Sequence, residues 1–129
     1  LSNKDTIVIS SAALTLVKEV KNVTAGGSFG VQNSAKAGEV LEYKISFINN
    51  STQGINNLLI NDATPAYTSF VSATCPTSLP TGITACTTPS SASSSAPVVG
   101  GVGAIKWVFT GNLPASGMGF VSYRVKVDE

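Results

Sequence analysis

Apolar and polar residues alternate over three long stretches of this chain. From Val40 to Asn49, Leu41, Tyr43, Ile45 and Phe47 alternate with Glu42, Lys44 and Ser46. Residues 120–128 place Val121, Tyr123, Val125 and Val127 on one side and Ser122, Arg124, Lys126 and Asp128 on the other. Residues 104–110 set Ile105, Trp107 and Phe109 against Lys106, Val108 and Thr110. A period of two is the pattern of a strand with one buried and one wet face. Residues 14–20, 55–60 and 67–73 read as more mixed strands, and residues 6–10 as a short one at the start. Turn formers fall between them: Ala25-Gly26-Gly27, Ala37-Gly38-Glu39, the run from Asn49 to Gly54, Asp62-Ala63-Thr64-Pro65 and the run from Gly111 to Gly117. Six or seven short strands with turns between them predict an antiparallel β-sandwich. Its core is expected from Leu41, Tyr43, Ile45, Phe47, Phe70, Ile105, Trp107, Phe109, Val121, Tyr123 and Val125.

Residues 74–103 break the pattern. They are mostly Thr, Ser, Ala, Pro and Gly, carry no charge, and include the run Ser90-Ser91-Ala92-Ser93-Ser94-Ser95. A connection this long is unusual in a compact domain. It reads as an excursion between two strands with a short hairpin near Val98 to Val102. It is either a tolerated insertion, a binding loop or a glycosylated surface. Cys75 and Cys86, the only two cysteines, lie inside it. A disulfide between them would close a short loop and give a loose segment a fixed shape, and such bonds persist outside the cytosol.

Composition narrows the function classes. The 129 residues suit one domain, and eight Lys or Arg against seven Asp or Glu leave a formal net charge of +1. That near-balance argues against nucleic acid or an anionic membrane surface as the main partner, since both want a concentrated basic face. The absence of histidine removes Ser-His-Asp and Cys-His catalysis and histidine metal sites. No apolar run approaches a membrane-spanning length. The chain opens at Leu1 without a signal-like stretch, so an export signal is expected to have been removed. Of the carboxylates, none is spaced for acid–base work. Glu19 and Glu42 fall on strand faces expected to be solvated, and Asp62, before a proline turn, is expected to accept backbone hydrogen bonds, with a calcium-ligand role as an alternative. No catalytic residue, metal ligand or cofactor site is expected. Asn22-Val23-Thr24, Asn49-Asn50-Ser51 and Asn50-Ser51-Thr52 fit the N-glycosylation pattern, making Asn22, Asn49 and Asn50 candidate acceptors.

The order of these elements resembles a family of bacterial and archaeal surface repeats, the domain of unknown function eleven. The resemblance rests on Leu14 to Val20 as an opening strand, Ala37-Gly38-Glu39-Val40-Leu41-Glu42-Tyr43, Asn49-Asn50, the Ile60-Asn61-Asp62-Ala63-Thr64-Pro65 turn with Thr68-Ser69-Phe70-Val71 after it, Lys106-Trp107, Gly111-Asn112-Leu113-Pro114 and the valine-rich run Val121 to Val127. It spans most of residues 14–129 apart from the Cys- and Ser-rich insertion. It implies an immunoglobulin-like sandwich in an exported or cell-wall protein, and carries no catalytic residues.

The departure from that family is at the ends. Its repeats close with one further strand after the valine-rich one, whereas here the sequence given stops at Asp128-Glu129, and residues 1–10 look like such a strand moved to the front. A sandwich missing an edge strand exposes backbone and core, which a neighbour's strand can cover. Two parts follow: an N-terminal strand segment over residues 1–13 and an immunoglobulin-like sandwich over residues 14–129. The expectation is a structural subunit of an extracellular filament or cell-surface assembly, its partners copies of itself and possible others surface proteins or glycans. Thr6, Ile7, Val8, Ile9 and Ser10 would form the polymer interface, completing the next subunit head to tail. Alternatively that strand folds back into its own sandwich, the chain is a repeat cut from a tandem array, or the domain is a monomeric adhesive module that binds through residues 74–103. An amide cross-link would take Lys18 or Lys44 as its amine, with Glu19 or Glu42 as proton carriers. The expected acceptor, an Asn in the last strand, is absent from Val121 to Asp128, and both lysines are expected to face solvent.

Overall fold

The computed structural model describes residues 2–4, 14–30 and 32–128. Their strands are β1 (Ser2–Lys4), β2 (Leu14–Asn22), β3 (Gln32–Ser34), β4 (Val40–Asn49), β5 (Ile55–Asn56), β6 (Leu59–Ala63), β7 (Thr68–Thr74), β8 (Ile83–Thr87), β9 (Ala104–Leu113) and β10 (Met118–Val127). There is no helix among the described residues. One sheet has the order β2-β4-β10-β7; in the other, β9 is flanked by β5 and β6 and also pairs with β8. All of these pairings are antiparallel. The protein is an all-β sandwich. The short β1 pairs with β3 of the same chain, Asn3 opposite Asn33.

The alternation in the sequence is the alternation in burial. Along β4 every second side chain from Leu41 to Asn49 is buried, and β9 and β10 answer with Ile105, Trp107 and Phe109 and with Val121, Tyr123 and Val125. All eleven expected core residues are buried. Two apolar faces meet and exclude water, which is the main term holding such a fold together. Aromatic packing fixes their geometry: Tyr43 stacks on Tyr123 with centroids 5.1 Å apart, and Phe47 meets Phe109 edge to face at 5.4 Å. The Trp107 indole Nε1–H donates to the Thr74 carbonyl at 3.1 Å, so a buried donor is satisfied.

Three local expectations are corrected. Residues 55–60 do not form one strand, because Asn57 takes φ 55° and breaks the run between β5 and β6. The segment near Val98 to Val102 is a turn rather than a hairpin. The Gly101 amide donates to the Val98 carbonyl, and this turn exchanges two backbone hydrogen bonds with Phe70 at the edge of β7. Gly111, placed in a turn by the sequence, lies within β9, which runs on to Leu113. Gly111 has φ 110°, and a Cβ there would lie 2.4 Å from the Gly82 carbonyl oxygen, so the close crossing of the chain before β8 requires glycine.

Asn49 ends β4 and joins two turns. Its fully buried amide donates to the carbonyls of Gln53 at 2.8 Å and Leu113 at 3.0 Å, while its oxygen accepts from the Ser51 amide at 2.9 Å. A short polar side chain thus replaces the ladder where β4 stops.

Candidate functional site

The outer face of the larger sheet is not uniformly polar. Register sets Val17 of β2, Ser46 of β4 and Phe120 of β10 side by side, with Thr15, Ile48 and Met118 in the next row. Val17, Phe120 and Met118 remain 49%, 42% and 63% exposed. Pro76 and Pro80, from the chain after β7, wall this row to form a groove of about 510 Å³. Lys44 lies along its side with Nζ 4.9 Å from the Phe120 ring and 5.5 Å from the Phe29 ring, a cation held over aromatic faces. Exposed apolar grooves rimmed by polar residues are a common form of contact surface. β2, which supplies one wall, is also an edge strand of its sheet. Among the described residues the groove's lining holds no carboxylate or convergent acid–base pair; it offers apolar contact and, on β2 before the bridge from Val20 to Gly30, a strand edge for backbone pairing.

Cys75 and Cys86 are joined, with Cα atoms 6.1 Å apart. The bond ties the end of β7 to β8, and β8 in turn pairs with β9. The excursion is therefore partly strand, and the remainder is held by serine hydrogen bonds: Ser95 is buried, and its backbone amide donates to the Ser90 carbonyl at 2.9 Å. Val98, Val99 and Val102 are exposed at its tip.

The three glycosylation candidates are not equivalent. Asn22 is buried, its amide donating to Glu39 at 3.2 Å and its oxygen accepting from the Ala25 amide at 3.0 Å. Asn49 is tied as described above. A sugar on either nitrogen would displace these bonds, whereas Asn50 is exposed, with its amide against the Thr15 hydroxyl. Glu39 itself is held below the usual carboxylate range, first by the Lys36 backbone N–H donating at 2.7 Å and then by the Asn22 amide. Thr6, Ile7, Val8, Ile9 and Ser10 lie outside the described residues.

The two lysines part company. Lys44 is on the outer face as expected. Lys18 is not: its side chain is 4% exposed and points into the sandwich, where Nζ meets Asp62 Oδ2 at 2.7 Å. Asp62 does accept from a backbone amide, that of Ala63 at 2.8 Å, but the place a calcium would take on its other oxygen is filled by this ammonium. The signal for Lys18 was present in the sequence, since Leu14, Leu16 and Val20 share its parity. Glu42 lies on the outer face and pairs with Arg124 at 2.8 Å. Among the described residues no group of three or more Cys, Asp or Glu side chains is arranged to hold a metal ion.

Comparison with family models, with curated proteins and with solved structures found no match to this chain.

Proposed function

We propose that the chain is a structural subunit of an extracellular filament or cell-surface assembly, built by exchange of the N-terminal strand between immunoglobulin-like domains. The observation that carries this reading is the apolar groove beside edge strand β2, lined by Val17, Phe120 and Met118. Thr6, Ile7, Val8, Ile9 and Ser10 of a neighbouring copy have the β-branched, mostly apolar composition that such an edge selects. The short ladder between β1 and β3 forms within one chain, and the same ladder made to a neighbour would be a strand swap with no new chemistry. Because donor and acceptor surfaces differ, the contact is head to tail and propagates instead of closing. The disulfide is compatible with the oxidising surroundings of an extracellular location.

Negative-stain electron microscopy of the purified chain tests this. Fibres whose axial repeat is about one domain, lost on deletion of residues 1–13, are expected. Monodisperse particles at high concentration would refute polymerisation by this chain. A second reading, a monomeric adhesive module, draws on the exposed Val98, Val99 and Val102. It predicts that replacing these three by Ser abolishes binding to a surface protein or glycan while particles stay single.

A further inference from the structure

Lysine is almost never fully buried without a partner, yet Lys18 stands on the inner face of β2 between Leu16 and Val20, opposite Ile45 of β4. Its Nζ is 2.7 Å from Asp62 Oδ2, with side-chain exposures of 4% and 11%. β2 belongs to one sheet and β6, which carries Asp62, to the other, so the contact spans the sandwich. Around it the walls are aromatic. Nζ lies 4.8 Å from the Tyr43 ring centroid and 5.8 Å from that of Tyr123, and the Tyr123 hydroxyl donates to the same carboxylate oxygen at 2.9 Å. Taking both ions out of water is costly. A pair held so close in a largely dry site has another way to shed its charges.

We propose that Lys18 and Asp62 become joined by an intramolecular isopeptide bond once the fold brings them together. One proton passes from the ammonium to the carboxylate, leaving an amine and a carboxylic acid with no net charge. The amine nitrogen attacks Asp62 Cγ and the carbonyl π pair moves to oxygen. The Tyr123 hydroxyl, already donating to this carboxyl group, is placed to stabilise the oxyanion. Collapse re-forms the carbonyl and breaks the other C–O bond, and the departing hydroxyl takes a proton from nitrogen. One water leaves and one amide remains, so no oxidant, nucleotide or external reactant is needed. Holding the two groups in contact supplies the effective concentration that the reaction lacks in solution. The product would tie one sheet to the other through a covalent bond, independently of whether the chain polymerises.

The test is the intact mass of the folded, purified chain, measured after denaturation with the disulfide in place. The expected mass is one water below that of the disulfide-bonded sequence. Trypsin should fail to cut after Lys18 and release a branched peptide joining residues 5–21 to residues 45–106. Lys18→Arg keeps the positive charge but cannot form the amide under these conditions. It should show the full mass, normal cleavage elsewhere and a β-rich circular dichroism spectrum. A wild-type chain that is folded and lacks only the two hydrogens of the disulfide would overturn the proposal. So would a missing water that maps to linear peptides, since this would be a cyclised aspartate.

Discussion

Trp107 is the most direct probe of how the sandwich is registered. It is fully buried, the largest of the fully buried side chains, packed at 5.9 Å from the Tyr123 ring and bonded through its indole to the Thr74 carbonyl. Trp107→Ala removes that volume from between two sheets that cannot collapse independently, a loss of about 3–5 kcal/mol. Thr74 is itself exposed, so water can replace the indole at its carbonyl and the lost hydrogen bond adds little to this value. Val108, its neighbour on β9, points outward at 38% exposed, and Val108→Ala should cost less than about 1 kcal/mol. The assay is urea unfolding followed by far-UV circular dichroism, because the chain has a single Trp and the variant lacks the fluorescence probe. With a slope near 1.5 kcal/mol per molar, a loss of 4 kcal/mol moves the midpoint by about 2–3 M. The disulfide is present in both variants, so the comparison isolates the side chain. A slip of one residue in the pairing of β9 would invert every side chain on it. A costly Val108→Ala beside a tolerated Trp107→Ala would therefore refute the register and the core described above.

Other substitutions separate backbone from side-chain effects. Gly82→Ala should destabilise by more than about 1 kcal/mol, because Gly82 has φ +89° and the new Cβ would lie 2.1 Å from the Asn112 carbonyl oxygen. Gly26→Ala, with φ +72° but open space around it, should cost only the left-handed backbone term, about 1–2 kcal/mol; thermal melts of the two rank them. Cys75→Ser with Cys86→Ser should lower stability by up to about 3 kcal/mol, and reduction of the wild type should reproduce the loss when melts are followed by Trp107 fluorescence. Glu39 is lowered in the folded state by its hydrogen bonds from Lys36 and Asn22. Its contribution is therefore complete above the ordinary Glu range and lost as pH falls through the lowered native value. Glu39→Gln should flatten that acid limb in pH-dependent melts, and an unchanged limb would show that the hydrogen bonds are not formed in solution.

Most of the core was legible because a half-buried strand writes its burial into alternate residues: β4 does so along its length, β9 up to Thr110 and β10 from Val121 onward. The shorter strands were harder. β5 and β6 are divided by the left-handed Asn57, an event of one residue inside an otherwise plausible strand. β8 hides in a Thr-rich stretch whose only large aliphatic turned inward is Ile83. The groove could not be read at all, since it depends on three strands pairing in one register and on Pro76 and Pro80 folding back beside them. Lys18 was misread for a different reason. Parity put it inside with Leu16 and Val20, and the charge argued that it should be out. The charge argument fails where a partner is supplied, and no local pattern announces that Asp62, on the other sheet, supplies it.

That pairing gains meaning from where it sits. β2 is an edge strand, paired along its length by β4 and, among the described residues, bridged on its other side by Gly30 at Val20, and the segment proposed to be exchanged between subunits leads directly into it. In a filament under tension, force would enter each domain at the start of β2. Such a load can peel an edge strand from its neighbour one hydrogen-bonded pair at a time, the weakest way to hold a ladder. Lys18 lies at the middle of β2, and its partner belongs to the opposite sheet. A covalent bond there would stop peeling before the strand had released Val20 from the core, and would pass the load across the sandwich into β6 and, through its ladder, into β9. A noncovalent ion pair at the same place could hold the folded domain together at rest but would yield to sustained pulling. The inward lysine on an edge strand is thus costly for a domain that only has to fold, and useful for one that has to be pulled.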